Sequence, residues 1–240
     1  PNTATFVANY ARGVVANWNA SRAAPAIVLQ QRFWFNPEVE SRRALVPGAL
    51  AIVMTIIGTL LTALVIAREW ERGTMEGLFS TPATPLEILA GKLLPYFALG
   101  LLATAISAAL AVWVFGVPLR DSVFALLLIS SAFLIPALGQ GLLISTIARN
   151  QFVAALIALL TGYLPAFMLS GFIFEIGSMP PGLQLITYLV PARYFNAALQ
   201  TVFLAGDVWP RLLPALGAML LLGAVFLAAV VKKTRKRLEP

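Results

Sequence analysis

Five long apolar runs, almost without charged residues, constrain this chain more than any other feature of its sequence. They cover residues 47–67, 93–117, 122–148, 152–174 and 211–231. A helix needs about 20 apolar residues to cross a bilayer, and each run is long enough. Only 11% of the residues are charged, whereas a soluble domain carries roughly a quarter. The sequence therefore predicts an all-α polytopic membrane protein with five transmembrane helices.

Missing residue types exclude several classes of chemistry. The 240 residues contain no cysteine and no histidine, which excludes disulfides, thiolate catalysis and the commonest metal ligands. We therefore expect neither a catalytic site nor a metal site in this chain.

Basic residues are distributed unevenly between the two sides of the predicted spans. One side carries nine, namely Arg68, Arg72, Lys92, Arg149, Lys232, Lys233, Arg235, Lys236 and Arg237. The other side carries three, namely Arg120, Arg193 and Arg211. Because loops rich in lysine and arginine stay in the cytoplasm, we expect a cytoplasmic C-terminus. The basic tail at 232–240 predicts an anchor on anionic lipid rather than nucleic-acid binding.

Two segments lie on the outer side in this orientation. Residues 1–46 carry five arginines and no run long enough to span, which predicts a water-exposed or interfacial segment with a helix starting at Asn36 and Pro37. The start at Pro1 leads us to expect that one upstream span is missing.

Residues 175–209 are apolar but divided by glycines and prolines, which predicts two short re-entrant helices, in the outer leaflet or packed on the bundle.

The connection at 68–92, here called the elbow, is charged and broken by prolines. Met75, Leu78 and Phe79 recur at helical spacing and predict a short amphipathic helix. Thr84–Glu87 has the pattern of a capping box with proline at the first helical position, which predicts a second helix running into the next span. A solvated connector is the simpler interpretation, but a simple helix-to-helix connection needs far fewer residues than the 68–92 segment contains. We therefore predict a surface that a partner binds.

The elbow resembles the pattern R-E-x-E-x-G-T-x-E, T-P and P-x-E-I-L-x-G-K of ABC-2 type export permeases. The matching residues are Arg68-Glu69-Trp70-Glu71-Arg72-Gly73-Thr74-Met75-Glu76, Thr81-Pro82 and Pro85-Leu86-Glu87-Ile88-Leu89-Ala90-Gly91-Lys92. A second block is similar to the segment before the last span of the same permeases. It comprises Ser170-Gly171-Phe172-Ile173-Phe174, Met179-Pro180, Pro191-Ala192-Arg193-Tyr194-Phe195 and Phe203-Leu204-Ala205-Gly206.

The resemblance implies a six-span half-transporter of the bacterial inner membrane, here without its first span, that dimerises with a second permease subunit. A separate ATPase subunit would bind ATP and Mg, which agrees with the absence of a Gly-Lys-Ser/Thr phosphate loop. Residues 1–46 would end an extracytoplasmic domain of the subgroup that works with a periplasmic adaptor. The ATPase-coupling residues implied are Glu69, Arg72, Gly73, Thr74, Glu76, Pro82 and Glu87.

The second block lies on the outer side in the predicted orientation, is here called the outer block, and contains a second group of candidate residues. They are Gly171, Phe172, Pro180, Pro191, Arg193, Tyr194 and Phe195. Arg193 with its two aromatic neighbours orients a re-entrant helix through backbone carbonyls and an aromatic anchor, or it contacts substrate. We favour the first interpretation, and we interpret Glu175 as a solvated carboxylate rather than a general acid.

Polar residues inside the spans have two interpretations. Thr55, Thr59 and Thr62 fall on one helix face, and Gln140 stands between two glycines. Small and hydroxyl residues are common at packed helix interfaces in membranes, whereas a translocation path at a dimer interface would also be modestly polar. An amide in hydrocarbon needs a partner, which makes Gln140 the strongest candidate for the path.

Together these features predict the permease of an ATP-driven exporter with an amphipathic or hydrophobic substrate. A channel or ion-driven transporter is the first alternative, although no span contains the carboxylate that such a cycle commonly uses. A membrane scaffold without transport activity is the second alternative.

Overall fold

A computed structural model describes residues 2–20, 41–74, 77, 80, 82, 84–120, 122–206 and 208–233. Every regular element in these ranges is helical. The main helices are α1 (Asn2–Ala20), α2 (Ser41–Glu71), α3 (Pro85–Trp113), α4 (Val123–Ala148), α5 (Gln151–Leu169), α6 (Pro181–Thr187), α7 (Pro191–Gln200) and α8 (Trp209–Lys233). A π-helical turn, Leu159–Tyr163, lies within α5, and a second one, Thr201–Ala205, continues α7.

Five of these helices, α2, α3, α4, α5 and α8, are long and apolar enough to cross a membrane. Each of them overlaps one of the five runs that the sequence predicts, and α3 ends at Trp113, before the predicted residue 117. The chain is therefore a multi-pass membrane protein, and the predicted all-α architecture is confirmed.

Polar caps determine where several helices begin. The Thr84 hydroxyl accepts the Glu87 backbone N–H at 3.3 Å, and the Glu87 carboxylate accepts the Thr84 N–H at 2.7 Å. This is the capping box that the sequence predicts for the start of α3. The Asn150 side-chain oxygen accepts the Val153 N–H at 3.0 Å and starts α5. Helices α6 and α7 each have proline at their first position, where the missing N–H costs no hydrogen bond.

Helix α4 lies at the centre and packs against α2 and α8 along most of its length. Glycines stand where these backbones approach most closely. A Cβ on Gly141 would overlap the Thr59 carbonyl oxygen of α2, and one on Gly223 of α8 would lie 3.1 Å from the backbone nitrogen of Pro136. Small residues at such crossings allow the close packing that holds membrane helices together.

Helix α7 is tied to the central helix α4 by aromatic packing. The rings of Phe133 in α4 and Phe195 in α7 stack with centroids 4.0 Å apart and planes at 5°. Both side chains are almost completely buried. Stacked pairs of this kind contribute about 0.5–1.5 kcal/mol beyond their buried area, so α7 is fixed to the bundle and is not a free loop.

Several features differ from the sequence predictions. Helix α1 has no counterpart in them. Helix α5 ends at Leu169, before the predicted residue 174, because Gly171 turns the chain with a φ of +81°. The predicted helix start at Asn36, the apolar side formed by Met75, Leu78 and Phe79, and the tail beyond Lys233 lie outside the described residues.

Candidate functional site

The two ends of the elbow meet at an ion pair. Glu69, near the end of α2, accepts a hydrogen bond from the Lys92 ammonium of α3 at 2.8 Å. The Thr74 hydroxyl donates to the same carboxylate and lies 3.4 Å from the Glu69 backbone oxygen. Gly73 has a φ of +69°, so the chain turns sharply after α2. Glu69 therefore joins the end of α2 to α3 through Lys92 and to the turn after α2 through Thr74.

Most of the other predicted coupling residues lie exposed at the surface of the protein. Arg72, Gly73, Thr74, Pro82 and Glu87 are exposed. Glu76 lies outside the described residues. The described part of the elbow thus combines an internal ion pair with an outward polar surface.

A third helix joins the same cluster through the turn Arg149–Gln151, here called the corner, which connects α4 to α5. The Gln151 backbone N–H donates to Glu71 at 2.8 Å, and its side-chain amide donates to the same carboxylate. The Arg149 guanidinium lies 4.5 Å from the centroid of the Trp70 ring. The end of α2 is therefore fixed to the corner on one side and to α3 on the other.

The threonines of α2 are buried and bonded within their own helix. The hydroxyls of Thr55, Thr59 and Thr62 donate to carbonyls four residues earlier, at 2.7, 2.6 and 2.6 Å. Thr59 also packs on Gly162 of α5, where an added Cβ would lie 3.0 Å from its hydroxyl oxygen. These contacts favour the helix-packing interpretation of the three threonines.

Gln140 reaches across to the π-helical turn of α5. Its amide nitrogen donates to the Thr161 carbonyl oxygen at 3.0 Å. Thr55, Thr59 and Gln140 border a cavity of about 30 Å³, which has room for about one water molecule. A substrate path at this position therefore requires α2 and α5 to separate.

The outer block borders a groove of about 1460 Å³. Gly171, Phe172, Pro180, Arg193 and Tyr194 line it, and its walls are mainly apolar. The Phe172 ring packs on Gly48 of α2, where an added Cβ would collide with it. Pro191 and Phe195 are buried in α7. Five of the seven residues that the sequence singles out in this block thus line the groove, Pro191 borders the small cavity instead, and Phe195 anchors α7 to α4.

Arg193 holds α6 against α7. Its guanidinium donates to the Thr187 hydroxyl and to the Gln184 carbonyl oxygen, the latter at 3.5 Å, and lies 3.9 Å from the Tyr188 ring centroid. The Tyr194 hydroxyl donates to the Tyr188 carbonyl oxygen at 3.0 Å. Burial raises the pKa of the Tyr194 phenol, so it remains a neutral donor at physiological pH. This geometry favours an orienting role over substrate contact.

Replacing Arg193 with alanine should loosen α6 without unfolding the bundle. Hydrogen bonds from a charged donor contribute about 1.5–3 kcal/mol, so we expect about tenfold faster amide exchange in residues 181–190. Arg211→Ala is the matched control, because Arg211 is exposed on the same groove. Unchanged exchange in Arg193→Ala, measured by mass spectrometry, would contradict the orienting role.

The family model described as "ABC-2 family transporter protein" matches residues 3–232. The chain belongs to the ABC-2 transporter family. It is 49% identical to the "Probable multidrug ABC transporter permease YbhS" of Escherichia coli (strain K12), over 100% of this chain and 65% of that protein. Other similar proteins of that strain are 30% identical. They are the "Probable multidrug ABC transporter permease YbhR", covering 90% of this chain and 61% of that protein, and the "Inner membrane transport permease YhhJ", covering 96% and 63%.

This chain thus spans somewhat less than two thirds of the length of these relatives.

The site residues predicted from the sequence did not include Glu71, Gln151 or Asn196. Asn196 is buried and donates to the Ser170 carbonyl oxygen at 3.1 Å. The polar triplet Arg149–Gln151 between two apolar runs was the available signal for the corner, but its partner on α2 depends on how the helices pack.

Proposed function

We propose that this chain forms the membrane part of an ATP-driven exporter in a bacterial inner membrane. It pairs with a second permease subunit, and a separate ATPase that binds ATP and Mg drives the cycle. The elbow carries the proposal. A capping box, a glycine turn and an ion pair that joins two spans give the elbow a defined shape, which suits a docking surface for a moving partner better than a passive connector.

The coupling role is assigned to the elbow residue by residue. Glu69 holds the ends together through Lys92, and Gly73 sets the direction in which the chain leaves α2. The exposed residues Arg72, Thr74 and Pro82, together with Glu87, form the surface offered to the ATPase. Glu76 completes this set by its place in the sequence pattern.

The proposed substrate is amphipathic or hydrophobic. The spans are almost free of charged residues, and the outer groove has mainly apolar walls. The relatives named as multidrug permeases support the same class of substrate. Thr55, Thr59, Thr62 and Gln140 would line the path once α2 and α5 separate at the interface between two permease subunits.

The proposed orientation puts the elbow and the C-terminus in the cytoplasm, because the basic residues are concentrated on that side. The segment at 175–209 then lies at the outer face as a re-entrant element. A periplasmic adaptor is proposed as a further partner, since residues 1–46 fall on the same outer side.

Reconstitution into vesicles tests the function. The full-length protein is purified together with its candidate ABC ATPase subunit and assayed for ATP hydrolysis and for movement of a lipophilic dye. We expect hydrolysis that the permease stimulates and dye movement that requires ATP. Movement driven by an ion gradient without nucleotide would establish the secondary-transporter alternative, and a protein that neither moves dye nor stimulates hydrolysis would be a scaffold.

A further inference from the structure

The corner binds the end of α2 through Gln151. Its backbone N–H and its side-chain amide nitrogen both donate to the Glu71 carboxylate. Its side-chain oxygen accepts a hydrogen bond from the Arg68 guanidinium at 3.4 Å. One residue at the start of α5 thus uses three polar groups to hold two residues of the elbow region.

A buried contact below the corner strengthens this attachment. Ser145, in the last turn of α4, is fully buried. Its hydroxyl oxygen accepts the backbone N–H groups of Ile66 and Ala67 in α2, at 2.9 and 2.8 Å. A buried hydroxyl that accepts backbone N–H groups of a neighbouring helix joins the two helices, because leaving a buried polar group without its partner costs about 1–3 kcal/mol. The contacts of Ser145 and Gln151 therefore hold α2 and the corner as one unit.

Helix α5 leads from this unit to the remaining candidate residues. It starts at Gln151, carries the π-helical turn that contacts Thr59 and Gln140, and ends at Leu169 beside the outer groove. π-Helical turns inside α-helices are frequent at functional sites. A displacement of the first turn of α5 therefore acts on both the threonine face and the groove.

We propose that Gln151 is a positioning residue that makes α5 move with the elbow when the ATPase acts on it. The inference rests on the coupling role proposed above for the elbow. It adds a second route from the elbow into the bundle, through Glu71 and the corner, beside the covalent continuation into α3.

The test is a charge change with a rescue. Gln151→Glu places two carboxylates together and removes the side-chain donor, so we expect dye moved per ATP hydrolysed to fall about tenfold. Glu71→Gln alone keeps an acceptor for the backbone N–H of residue 151 and should have a small effect. The double variant Glu71→Gln/Gln151→Glu restores an amide facing a carboxylate and should recover most of the lost coupling. Thermal stability and co-purification with the ATPase should remain close to wild type in all three.

The outcomes separate the two proposals. A wild-type complex that hydrolyses ATP and moves dye, with an unchanged ratio in Gln151→Glu, would overturn the role of Gln151 alone. A Gln151→Glu variant that melts at lower temperature, with no recovery in the double variant, would show a purely structural contact and also overturn it. A wild-type complex without stimulated hydrolysis would overturn the proposed function and the coupling role together.

Discussion

Replacing Gly141 with alanine should destabilise the bundle by about 3 kcal/mol, the upper part of the range for overpacking. Gly141 of α4 faces α2, where the new Cβ would overlap the Thr62 hydroxyl and the Thr59 carbonyl oxygen and would lie 3.1 Å from the Ala63 nitrogen. Two of these three atoms belong to the backbone, so a rotamer change does not relieve the overlap. The helices must separate, and we expect the melting temperature in detergent to fall by about 6–12 °C.

Gly217→Ala is the matched control for this prediction. Gly217 lies in α8, and a Cβ added there meets no atom within 4 Å. Alanine is favoured over glycine in a helix by about 0.5–1 kcal/mol, so this variant should melt at the same temperature or slightly higher. Equal melting temperatures for the Gly141 and Gly217 variants would show that α2 and α4 do not pack through Gly141.

Replacing Gly73 with valine should abolish coupling and leave the bundle intact. The φ of +69° at Gly73 costs a residue with a side chain roughly 1–2 kcal/mol, and a β-branched residue is excluded most strongly. No atom lies within 4 Å of the added Cβ, so little packing is at stake. The chain after Arg72 would leave α2 in another direction, and the exposed elbow surface would lose its alignment with the ATPase. We expect ATP-dependent dye movement to fall more than about tenfold, at an unchanged melting temperature.

Asparagine at position 73 separates backbone conformation from side-chain bulk. Asparagine adopts positive φ more readily than other residues with a side chain, so Gly73→Asn should retain most of the coupled transport. Loss of transport in both variants would indicate that bulk at the elbow surface, rather than the turn, is what the ATPase rejects. Full transport in Gly73→Val would remove Gly73 from the coupling surface.

Local patterns predicted the helices and the caps well. Uninterrupted apolar runs located the five membrane helices, and the spacing of Thr84 and Glu87 predicted the capping box that starts α3. The prolines between residues 175 and 209 predicted two short helices, which are α6 and α7. Each of these signals acts within a few residues, where the chain's own chemistry decides the backbone conformation.

Contacts between distant residues were not predictable in the same way. The family resemblance implied a coupling role for Glu69 but not its pairing with Lys92, which is 23 positions away. It did not connect Glu71 with Gln151, 80 positions away. It also left open whether Thr59 lines a path or packs, and only the approach of Gly162 shows how closely α5 covers it.

The sequence by itself determined that this chain crosses a membrane with five helices and that its family is recognisable in the elbow. Both follow from order along the chain, because a bilayer selects helix length and apolarity and a motif is read residue by residue. Only the tertiary structure decided which helices the elbow holds and that the corner fixes α2 to α5. Those partners depend on how α4 packs between α2 and α8. The order of apolar residues along each span does not reveal which helices pack against one another.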